Sequence, residues 1–241
     1  MTSRIIGTGS YVPAQVVTNE DLAKIVDTSD EWIAGRTGIR QRRVVREEGT
    51  SHMAAEAARK ALENAGMDAK ELDLILMGTT SPDHCFPSGA CEVQEAIGAV
   101  NACGFDVSAA CSGFLFALST MQAFIQAGIY QTGLVIGADC ISKLVDWKDR
   151  STCVLFGDGA GAAVVRAEDT GMIHTVMKSD GAKWNVLSCV SRTGGNFING
   201  ITTEPGFITM DGQEVFKFAV KTVPACIHQV LEESGVSIDE V

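Results

Sequence analysis

Hydrophobic residues follow two alternating patterns along the chain, namely continuous runs and a spacing of three to four positions. Three continuous runs have the length of buried strands: LDLILMGTT, ACGFDV and TGLVIGAD. Three further segments have the spacing of amphipathic helices: residues 51–65, 88–98 and 111–127. Gly66 and Gly128 follow two of these segments and are predicted as their C-terminal caps. Because buried strands alternate with helices, we predict an α/β fold around a largely parallel sheet.

Two other segments give less regular patterns. TNEDLAKIV and TSDEWIAGR predict two short helices, and Thr28 followed by Glu31 has the spacing of a capping box for the second. STCVLFGDGAGAAVVRAE has two apolar runs around Asp158 and Gly159, which predicts an antiparallel hairpin or tight connection. A phosphate loop at GDGAG is disfavoured, because β-branched residues follow it and no Lys-Ser/Thr pair is present.

An internal repeat predicts two related halves. LENAGMDAKEL, residues 62–72, aligns without gaps on LEESGVSIDEV, residues 231–241. In the preceding helices, four alanines fall opposite four apolar residues at the spacing of one buried face: Ala54, Ala57, Ala58 and Ala61 opposite Val223, Cys226, Ile227 and Val230. We therefore predict a first half over residues 1–168 and the beginning of a second half over residues 169–241. The core strand that starts at Leu72 has no counterpart after Val241, so we expect the 241 residues to be part of a longer protein.

Composition narrows the class of protein. With 46% hydrophobic and 20% charged residues, the chain is typical of a globular protein. The net charge of −11 argues against a nucleic-acid partner, although the five arginines between positions 36 and 46 form a basic patch suited to a phosphorylated or acidic partner. We find neither a signal-peptide core nor an apolar run long enough to span a bilayer. We therefore expect a cytoplasmic protein without a membrane partner.

Among the eight cysteines, Cys111 has a distinctive position. No CxxC or Cys/His spacing predicts a metal site, and we expect most cysteines to be buried and reduced. In FDVSAACSGFLFAL, however, Cys111 lies between a predicted strand and a predicted helix. Backbone N–H groups and the helix dipole at such a place favour an anion, can lower a thiol pKa and can stabilise an oxyanion. Cys111 is therefore a candidate nucleophile for acyl transfer through a thioester, and simple packing is the alternative.

The possible partners of this thiol are less distinctive. None of the four histidines has a catalytic spacing: His52 in a first helical turn, His84 in a loop after a strand, His174 at the start of a strand and His228 on the exposed side of a helix. Trp32 and Arg36 lie four residues apart on one helical face, where an aromatic ring and a guanidinium can hold a nucleotide base and its phosphates. The alternative is a tryptophan in the core beside a solvated arginine.

Several motifs together resemble one enzyme family. They occur in order along the chain: IIGTGSYVP, TSDEWIAGRTGIRQRR, FDVSAACSGFLFAL, DRSTCVLFGDGAGAAVV and MDGQEVFKFAV. In these motifs the chain resembles beta-ketoacyl-acyl-carrier-protein synthase III, the initiating condensing enzyme of type II fatty-acid synthesis. The resemblance implies a thiolase-like αβαβα layered fold of two duplicated halves, with the second half incomplete here. It also implies a homodimer.

The resemblance further implies a reaction and its residues. Cys111 would accept an acyl group from acetyl-CoA or another short acyl-CoA, and the acyl group would then condense with malonyl-acyl-carrier protein to give 3-oxoacyl-carrier protein and CO₂. Acyl-CoA is a substrate, so no cofactor is implied. The implied binding residues fall into three sets: Thr28, Trp32, Arg36 and Arg150 for CoA, Phe86 and Phe156 for the acyl pocket, and Lys217 for carrier-protein docking.

One departure from the family pattern concerns the condensation step. The family uses a histidine in a Pro-His-Gln-Ala-Asn motif together with an asparagine, and this motif does not occur in the 241 residues. We therefore expect these residues alone to condense poorly. The alternatives are a non-catalytic protein that binds CoA or acyl groups, a related synthase III-like enzyme of secondary metabolism, and a thiol hydrolase.

Overall fold

The computed structural model describes residues 1–172, 174–191, 198–201 and 206–241. The described residues contain nine strands: β1 (Thr2–Tyr11), β2 (Val16–Thr18), β3 (Gln41–Arg43), β4 (Leu74–Gly78), β5 (Cys103–Val107), β6 (Thr132–Cys140), β7 (Asp158–Glu168), β8 (Leu187–Cys189) and β9 (Ile208–Met210). They also contain seven α-helices: α1 (Asn19–Leu22), α2 (Asp30–Thr37), α3 (Thr50–Ala65), α4 (Gly89–Ile97), α5 (Gly113–Gln126), α6 (Arg150–Cys153) and α7 (Gly212–Ser234). None of these helices is both long and apolar enough to cross a membrane.

The chain forms two compact units whose segments alternate in sequence. Unit one comprises Met1–Val16, Arg43–Cys140 and Gly157–Thr175. Unit two comprises Val17–Arg42, Ile141–Phe156 and Val176–Val241. The division into a repeat half over residues 1–168 and a second over residues 169–241 remains a prediction.

Unit one is built on a five-stranded sheet in the order β1-β7-β6-β4-β5. Strand β4 pairs in parallel with both β5 and β6, whereas β7 pairs antiparallel with both β1 and β6. Four strands therefore share one direction and β7 alone runs the other way. The largely parallel sheet predicted from the apolar runs is confirmed.

The hairpin predicted around Asp158 and Gly159 is wrong. The residues before this dipeptide form helix α6, because the Asp149 side chain accepts a hydrogen bond from Ser151 N and caps the helix. Asp158 and the residues after it form one strand, β7, which pairs with β6 from Asp158 to Arg166 and with β1 from Ala160 to Glu168. All of GDGAG except Gly157 is therefore strand backbone rather than a phosphate loop.

Alternate residues of the central strand β4 face two different helical layers. Leu74 and Leu76 pack in a cluster with α5, whereas Ile75 and Met77 pack in a cluster with α3 and α4. All five residues of β4 are buried. Because both faces of the strand are covered, its sequence is uniformly apolar rather than alternating. Unit one thus has three layers, with helices on both sides of the sheet.

A separate core holds helices α1, α2 and α6 of unit two. Its fully or nearly buried members come from four parts of the unit: Leu22, Ile33, Val145, Cys153, Val154 and Ile208. Helix α2 begins with Ser29 as its N-cap, whose hydroxyl accepts a hydrogen bond from Trp32 N at 3.1 Å. The predicted capping box with Thr28 as the N-cap is therefore wrong, because the N-cap is the next residue, Ser29.

The internal repeat recurs in local backbone geometry. Gly66 ends α3 and Gly235 ends α7, with φ angles of 65° and 68°. After each glycine a single 3₁₀ turn begins with a capping box, from Asp68 to Glu71 and from Ser237 to Glu240.

The burial of the two repeated helices differs. The four alanines of the α3 face, Ala54, Ala57, Ala58 and Ala61, are fully buried. The α7 helix has no buried residue among those described; its Val223 is 53% exposed and its Ile227 is 46% exposed. The prediction of a buried face is thus confirmed for α3 and wrong for α7.

Candidate active site

Cys111 lies in a single 3₁₀ turn between the end of β5 and the start of α5. Its side chain is exposed. Ala110, the preceding residue, has a φ of 47°, and it is the one non-glycine residue with positive φ in the described ranges. An L-residue adopts this conformation at a cost, so the turn that presents the thiol is strained. The predicted strand–turn–helix junction at Cys111 is confirmed.

The N-terminus of α5 lies beside Cys111, and the N–H of its first residue, Gly113, donates to the carbonyl oxygen of Ala110. The N-cap residue of α5 is Ser112, and no side chain of the described residues caps the helix. The first N–H groups of an uncapped helix carry partial positive charge and point away from the helix. They can therefore stabilise negative charge that develops next to the thiol.

A cavity of about 250 Å³ opens at Cys111. Its lining consists of small residues, one aromatic ring and one carboxylate: Gly78, Ala110, Cys111, Phe114, Gly137, Ala138, Asp139, Gly157 and Gly159. Four of these residues are glycines, so backbone rather than side chains forms much of the wall. Such a wall leaves room for a small acyl group at the sulfur.

Asp139 is a residue of this cavity that the sequence interpretation missed. It lies near the end of β6, and its Oδ1 accepts hydrogen bonds from the loop after β4, including Thr80 N at 2.8 Å and Ser81 Oγ at 2.7 Å. Ser81 Oγ in turn accepts from Cys140 N at 2.7 Å. The carboxylate therefore fastens together two strand ends that line the cavity. The one signal in the sequence was an aspartate that ends an apolar run.

None of the four histidines lines the cavity at Cys111. The imidazole of His84 pairs with Glu92 at 2.6 Å, and His52 lies edge-on to Tyr11 with ring centroids 5.8 Å apart. His228 is on the exposed surface of α7, as predicted. His174 belongs to no strand, so the prediction that it opens one is wrong.

Trp32 carries two guanidinium groups on its indole ring. Arg36 Cζ lies 4.9 Å from the ring centroid and Arg150 Cζ lies 4.8 Å from it. Arg150 also donates from Nη1 to the carbonyl oxygen of Asp27 at 2.9 Å, which fixes its position. The indole is partly buried against the core of unit two, as the packing alternative predicts, and the nucleotide-binding role of Trp32 stays a prediction. A flat ring flanked by cations is suited to an aromatic anion such as a nucleotide.

Thr28 precedes α2 by two residues and has an unused hydrogen-bonding group. Its Oγ1 is buried and has no hydrogen-bond partner among the described residues. A buried hydroxyl without a partner costs free energy, and a ligand atom can supply the missing bond. Within the described ranges, Thr28 therefore has an unpaired hydroxyl two residues before the helix that carries Trp32.

The two predicted acyl-pocket residues have different environments. The side chain of Phe86 is 85% exposed, and this residue does not line the cavity at Cys111. The loop that carries Phe86 is fastened at Asp83, whose carboxylate accepts from the backbone N–H groups of Thr50 and Ser51. Phe156 packs partly buried against the core of unit two.

Lys217, the predicted docking residue, is on the surface of α7 in an ion pair. Its Nζ lies 2.8 Å from Glu214 Oε1, and Lys183 Nζ lies 3.2 Å from Glu214 Oε2. Hydrogen bonds from Lys217 and Lys183 lower the pKa of Glu214, and the carboxylate raises the pKa of Lys217. One carboxylate thus partly neutralises two lysines.

The other cysteines do not share one environment. Cys85, Cys103 and Cys189 are exposed, whereas Cys140 and Cys153 are buried. The prediction that most cysteines are buried is therefore wrong. Burial raises the pKa of the Cys153 thiol, which makes it a poor nucleophile. Within the described ranges, no three His, Cys, Asp or Glu side chains are grouped so that they could hold a metal ion.

Comparison with known proteins places the chain in a family. Residues 105–181 match the sequence model described as 3-oxoacyl-[acyl-carrier-protein (ACP)] synthase III. A beta-ketoacyl-[acyl-carrier-protein] synthase III of Clostridium acetobutylicum is 52% identical over 242 residues, which cover 98% of this chain and 74% of that protein.

Two crystal structures also match nearly the whole chain. The 3-oxoacyl-[acyl-carrier-protein] synthase III of Aquifex aeolicus has a TM-score of 0.90 at 46% identity and covers 99% of this chain and 74% of that one. The priming beta-ketosynthase from the R1128 polyketide biosynthetic pathway has a TM-score of 0.91 at 36% identity and covers 100% of this chain and 72% of that one. The expected thiolase-like α/β fold is confirmed by these matches. With half of its residues identical to such a relative over nearly its whole length, this chain belongs to the beta-ketoacyl-[acyl-carrier-protein] synthase III family of condensing acyltransferases.

Proposed function

We propose that this protein initiates type II fatty-acid synthesis by taking an acyl group from acetyl-CoA, or another short acyl-CoA, onto Cys111. The observation that carries the proposal is the exposed Cys111 thiol at the mouth of a glycine-walled cavity, in a strained turn before an uncapped helix. The family membership of the chain supports the same reaction.

The first step is a thioester exchange at Cys111. Its sulfur, as the thiolate, attacks the carbonyl carbon of acyl-CoA and a tetrahedral oxyanion forms. Backbone N–H groups of the turn at Cys111 and of the start of α5 are the donors that would stabilise this oxyanion. When the oxyanion collapses, the carbon–sulfur bond to CoA breaks, and CoA leaves as a thiolate that takes up the proton lost by Cys111.

The nucleotide end of CoA would bind in unit two. Trp32 offers a ring for stacking, Arg36 and Arg150 offer positive charge for the phosphates, and Thr28 offers an unpaired hydroxyl. The two guanidiniums lie on the indole ring themselves. An entering base would therefore take the place of one cation on the ring.

The second step would be decarboxylative condensation with malonyl-acyl-carrier protein. Loss of CO₂ from the malonyl group leaves an enolate whose carbon attacks the acyl-Cys111 carbonyl. The new carbon–carbon bond gives 3-oxoacyl-carrier protein, and the Cys111 thiolate leaves. In this proposal Phe86, which does not line the cavity of its own chain, bounds the acyl pocket of the partner subunit, and Lys217 contributes to docking of the carrier protein.

We further propose that the protein acts in the cytoplasm as a homodimer. The exposed Phe86 on its fastened loop is suited to a contact with the partner subunit. Light scattering of the purified protein tests this proposal: a dimer that Phe86→Ala converts to a monomer supports it, and a wild-type monomer contradicts it.

Acylation is the step to test first. The 241-residue protein is incubated with acetyl-CoA and its intact mass is measured, with Cys111→Ala and Cys103→Ala as matched variants. We expect one acetyl adduct in wild type and in Cys103→Ala, and none in Cys111→Ala. Binding of CoA without an adduct would instead identify a non-catalytic CoA-binding protein.

Malonyl-acyl-carrier protein is then added to the acetylated protein. Discharge of the adduct with release of CO₂ identifies condensation, whereas discharge by water without CO₂ identifies a hydrolase. The expectation from the sequence that condensation by these residues alone is slow remains a prediction, which the same samples test.

A further inference from the structure

Arg42 is a buried arginine without an acidic partner. It lies on β3 with only 6% of its surface exposed, and no carboxylate among the described residues pairs with it. Its Nε is buried without a hydrogen-bond partner in the same ranges, and burial lowers the pKa of the guanidinium. Because a buried cation without a counter-charge costs free energy, packing alone does not account for an arginine here.

The guanidinium of Arg42 donates to three acceptors in two other segments of unit two, residues 17–19 and Val154. Nη1 donates to the carbonyl oxygen of Val17 at 3.2 Å. Nη2 donates to Asn19 Oδ1 at 2.8 Å and to the carbonyl oxygen of Val154 at 3.1 Å. A planar guanidinium can serve several acceptors at fixed angles, which a lysine ammonium on a flexible stem cannot reproduce.

Asn19 continues this connection to helix α2. The side chain of Asn19 is fully buried, and its Nδ2 donates to Asp30 Oδ1 and to the carbonyl oxygen of Ile39, both at 2.8 Å. Asp30 is the first residue of α2, the helix that carries Trp32 and Arg36. Arg42 is therefore linked to the start of this helix through one buried amide.

The third acceptor connects Arg42 to helix α6. Val154 is the C-cap residue of α6, a helix of one turn whose first residue is Arg150. A bond to the Val154 carbonyl therefore fixes the end of the helix that places Arg150 over the Trp32 ring. Through Asn19 on one side and Val154 on the other, Arg42 joins the two helices whose side chains meet at the indole.

We infer that Arg42 is a positioning residue for the nucleotide end of CoA, because it holds α2 and α6 at the separation that places Arg150 beside the Trp32 ring. This inference rests on the proposed CoA site. Arg42 itself is buried and touches no ligand. Its role is to prevent the two ring-binding helices from drifting apart.

The experiment compares two acetyl donors. Acetyl-CoA carries the nucleotide, whereas acetyl-pantetheine carries the same thioester without it. Acetylation of Cys111 is followed by intact mass in wild type, Arg42→Lys and Arg42→Met, with Arg43→Lys as the matched neighbour on β3. In Arg42→Lys we expect the KM for acetyl-CoA to rise about tenfold, the size of one lost charge-assisted hydrogen bond, with the maximal rate unchanged.

The rate with acetyl-pantetheine should be the same in all of these proteins. The ratio of the two rates within one variant does not depend on how much of it is folded, so it remains meaningful if Arg42→Met is unstable. In a Trp32→Ala background, Arg42→Lys should add no further loss, because the ring through which it acts is absent.

The other outcomes overturn the inference in distinguishable ways. Equal losses with both donors would show that Arg42 only supports the fold. If Arg42→Lys has the same KM for acetyl-CoA as wild type, Arg42 does not position the nucleotide site. If wild type itself does not prefer acetyl-CoA to acetyl-pantetheine, the proposed CoA site fails and this inference fails with it.

Discussion

Gly78, the last residue of β4, and Gly113, the first residue of α5, touch through their backbones. A Cβ at Gly78 would lie 2.4 Å from the carbonyl carbon of Gly113, and a Cβ at Gly113 would lie 3.1 Å from Gly78 Cα. The helix that follows Cys111 can therefore start directly against the sheet. This contact sets the distance between the end of β4 and the start of α5, two residues after Cys111.

Gly78→Ala should separate the start of α5 from the sheet. A methyl group at this place meets backbone atoms that cannot rotate away, so we expect a loss of about 1–3 kcal/mol in the free energy of unfolding and a large drop in the rate of Cys111 acetylation. Gly161→Ala on β7 is the matched control, since a Cβ there meets nothing within 4 Å. Chemical denaturation and intact mass measure the two effects, and equal behaviour of the two variants would contradict the role of this contact.

Ala110→Gly tests the strain in the turn before Cys111. Glycine relieves the cost of a positive φ but adds freedom to the unfolded chain, and each effect is about 1 kcal/mol. We therefore expect little net change in stability and an unchanged rate of acetylation. Ala123→Gly, at an exposed position inside α5, lacks the relief and should cost about 1 kcal/mol.

Ala110→Val gives the opposite change at the same position. A β-branched residue fits poorly in the left-handed region, so this variant should lose about 2 kcal/mol or more and acetylate slowly. Thermal denaturation measures the stability of the three variants, which should decrease in the order Ala110→Gly, Ala123→Gly, Ala110→Val. A valine variant as stable as wild type would show that the turn carries no strain.

Alkylation of the exposed cysteines provides a footprint of the proposed acyl-enzyme. Iodoacetamide should label Cys85, Cys103 and Cys111, because all three are exposed. Prior incubation with acetyl-CoA should protect Cys111 alone, since a thioester sulfur is no longer a nucleophile. Peptide mass spectrometry measures each site, with Cys85 and Cys103 as internal controls, and protection of all three would indicate a general change in structure instead.

Two other thiols provide further internal standards in this footprint. Cys189 is exposed, but desolvation raises the pKa of its thiol, so it should be labelled slowly at neutral pH. Cys153, which is fully buried, should be labelled only after unfolding.

Glu214→Gln should strengthen binding of an acidic carrier protein. The substitution removes the carboxylate that occupies Lys217 and Lys183 and leaves two free cations on the surface. We expect a several-fold lower Kd at low salt and no difference at high salt, where surface charges are screened. Glu232→Gln, the same charge change elsewhere on α7, is the control, and an equal gain there would show that only net charge matters.

The pH dependence of this effect follows from the direction of the pKa shift. Because the lysines lower the pKa of Glu214, its ion pairs are intact at neutral pH and are lost as the pH falls through the lowered value. The difference between wild type and Glu214→Gln should therefore persist at mildly acidic pH and vanish only when Glu214 takes up a proton. The Kd for the carrier protein, measured for wild type and Glu214→Gln over a range of pH, tests this expectation.

Much of unit one could be predicted from the chain alone. The fully apolar β4 and the helix ending at Gly66 depend on residues within a few positions of one another, and both lie where the pattern indicated. The hairpin around Asp158 was wrong because an apolar run does not reveal which strands will pair with it. In the fold, β7 pairs with β1 and with β6. Strand β1 is far from β7 in sequence, and helix α6 lies between β6 and β7.

The same division applies to the candidate site. The motif around Cys111 could be found from its strand, small residues and helix, and Trp32 and Arg36 from their helical spacing. Asp139 and Arg42 could not be found, because their partners lie in segments that only the fold brings together. Arg150 was predicted as a CoA-binding residue only from the family resemblance, because its contact with the Trp32 ring is tertiary.

The two repeated helices show most directly what the sequence determined by itself. The glycine caps at Gly66 and Gly235 and the capping boxes after them agree, because a cap is formed by atoms a few residues apart. Burial of α3 but not of α7, and the positive φ of Ala110 before Cys111, were decided only by tertiary structure. Burial depends on contacts between segments distant in sequence, and neither it nor a single backbone angle in a turn can be derived from the spacing of residues along one segment.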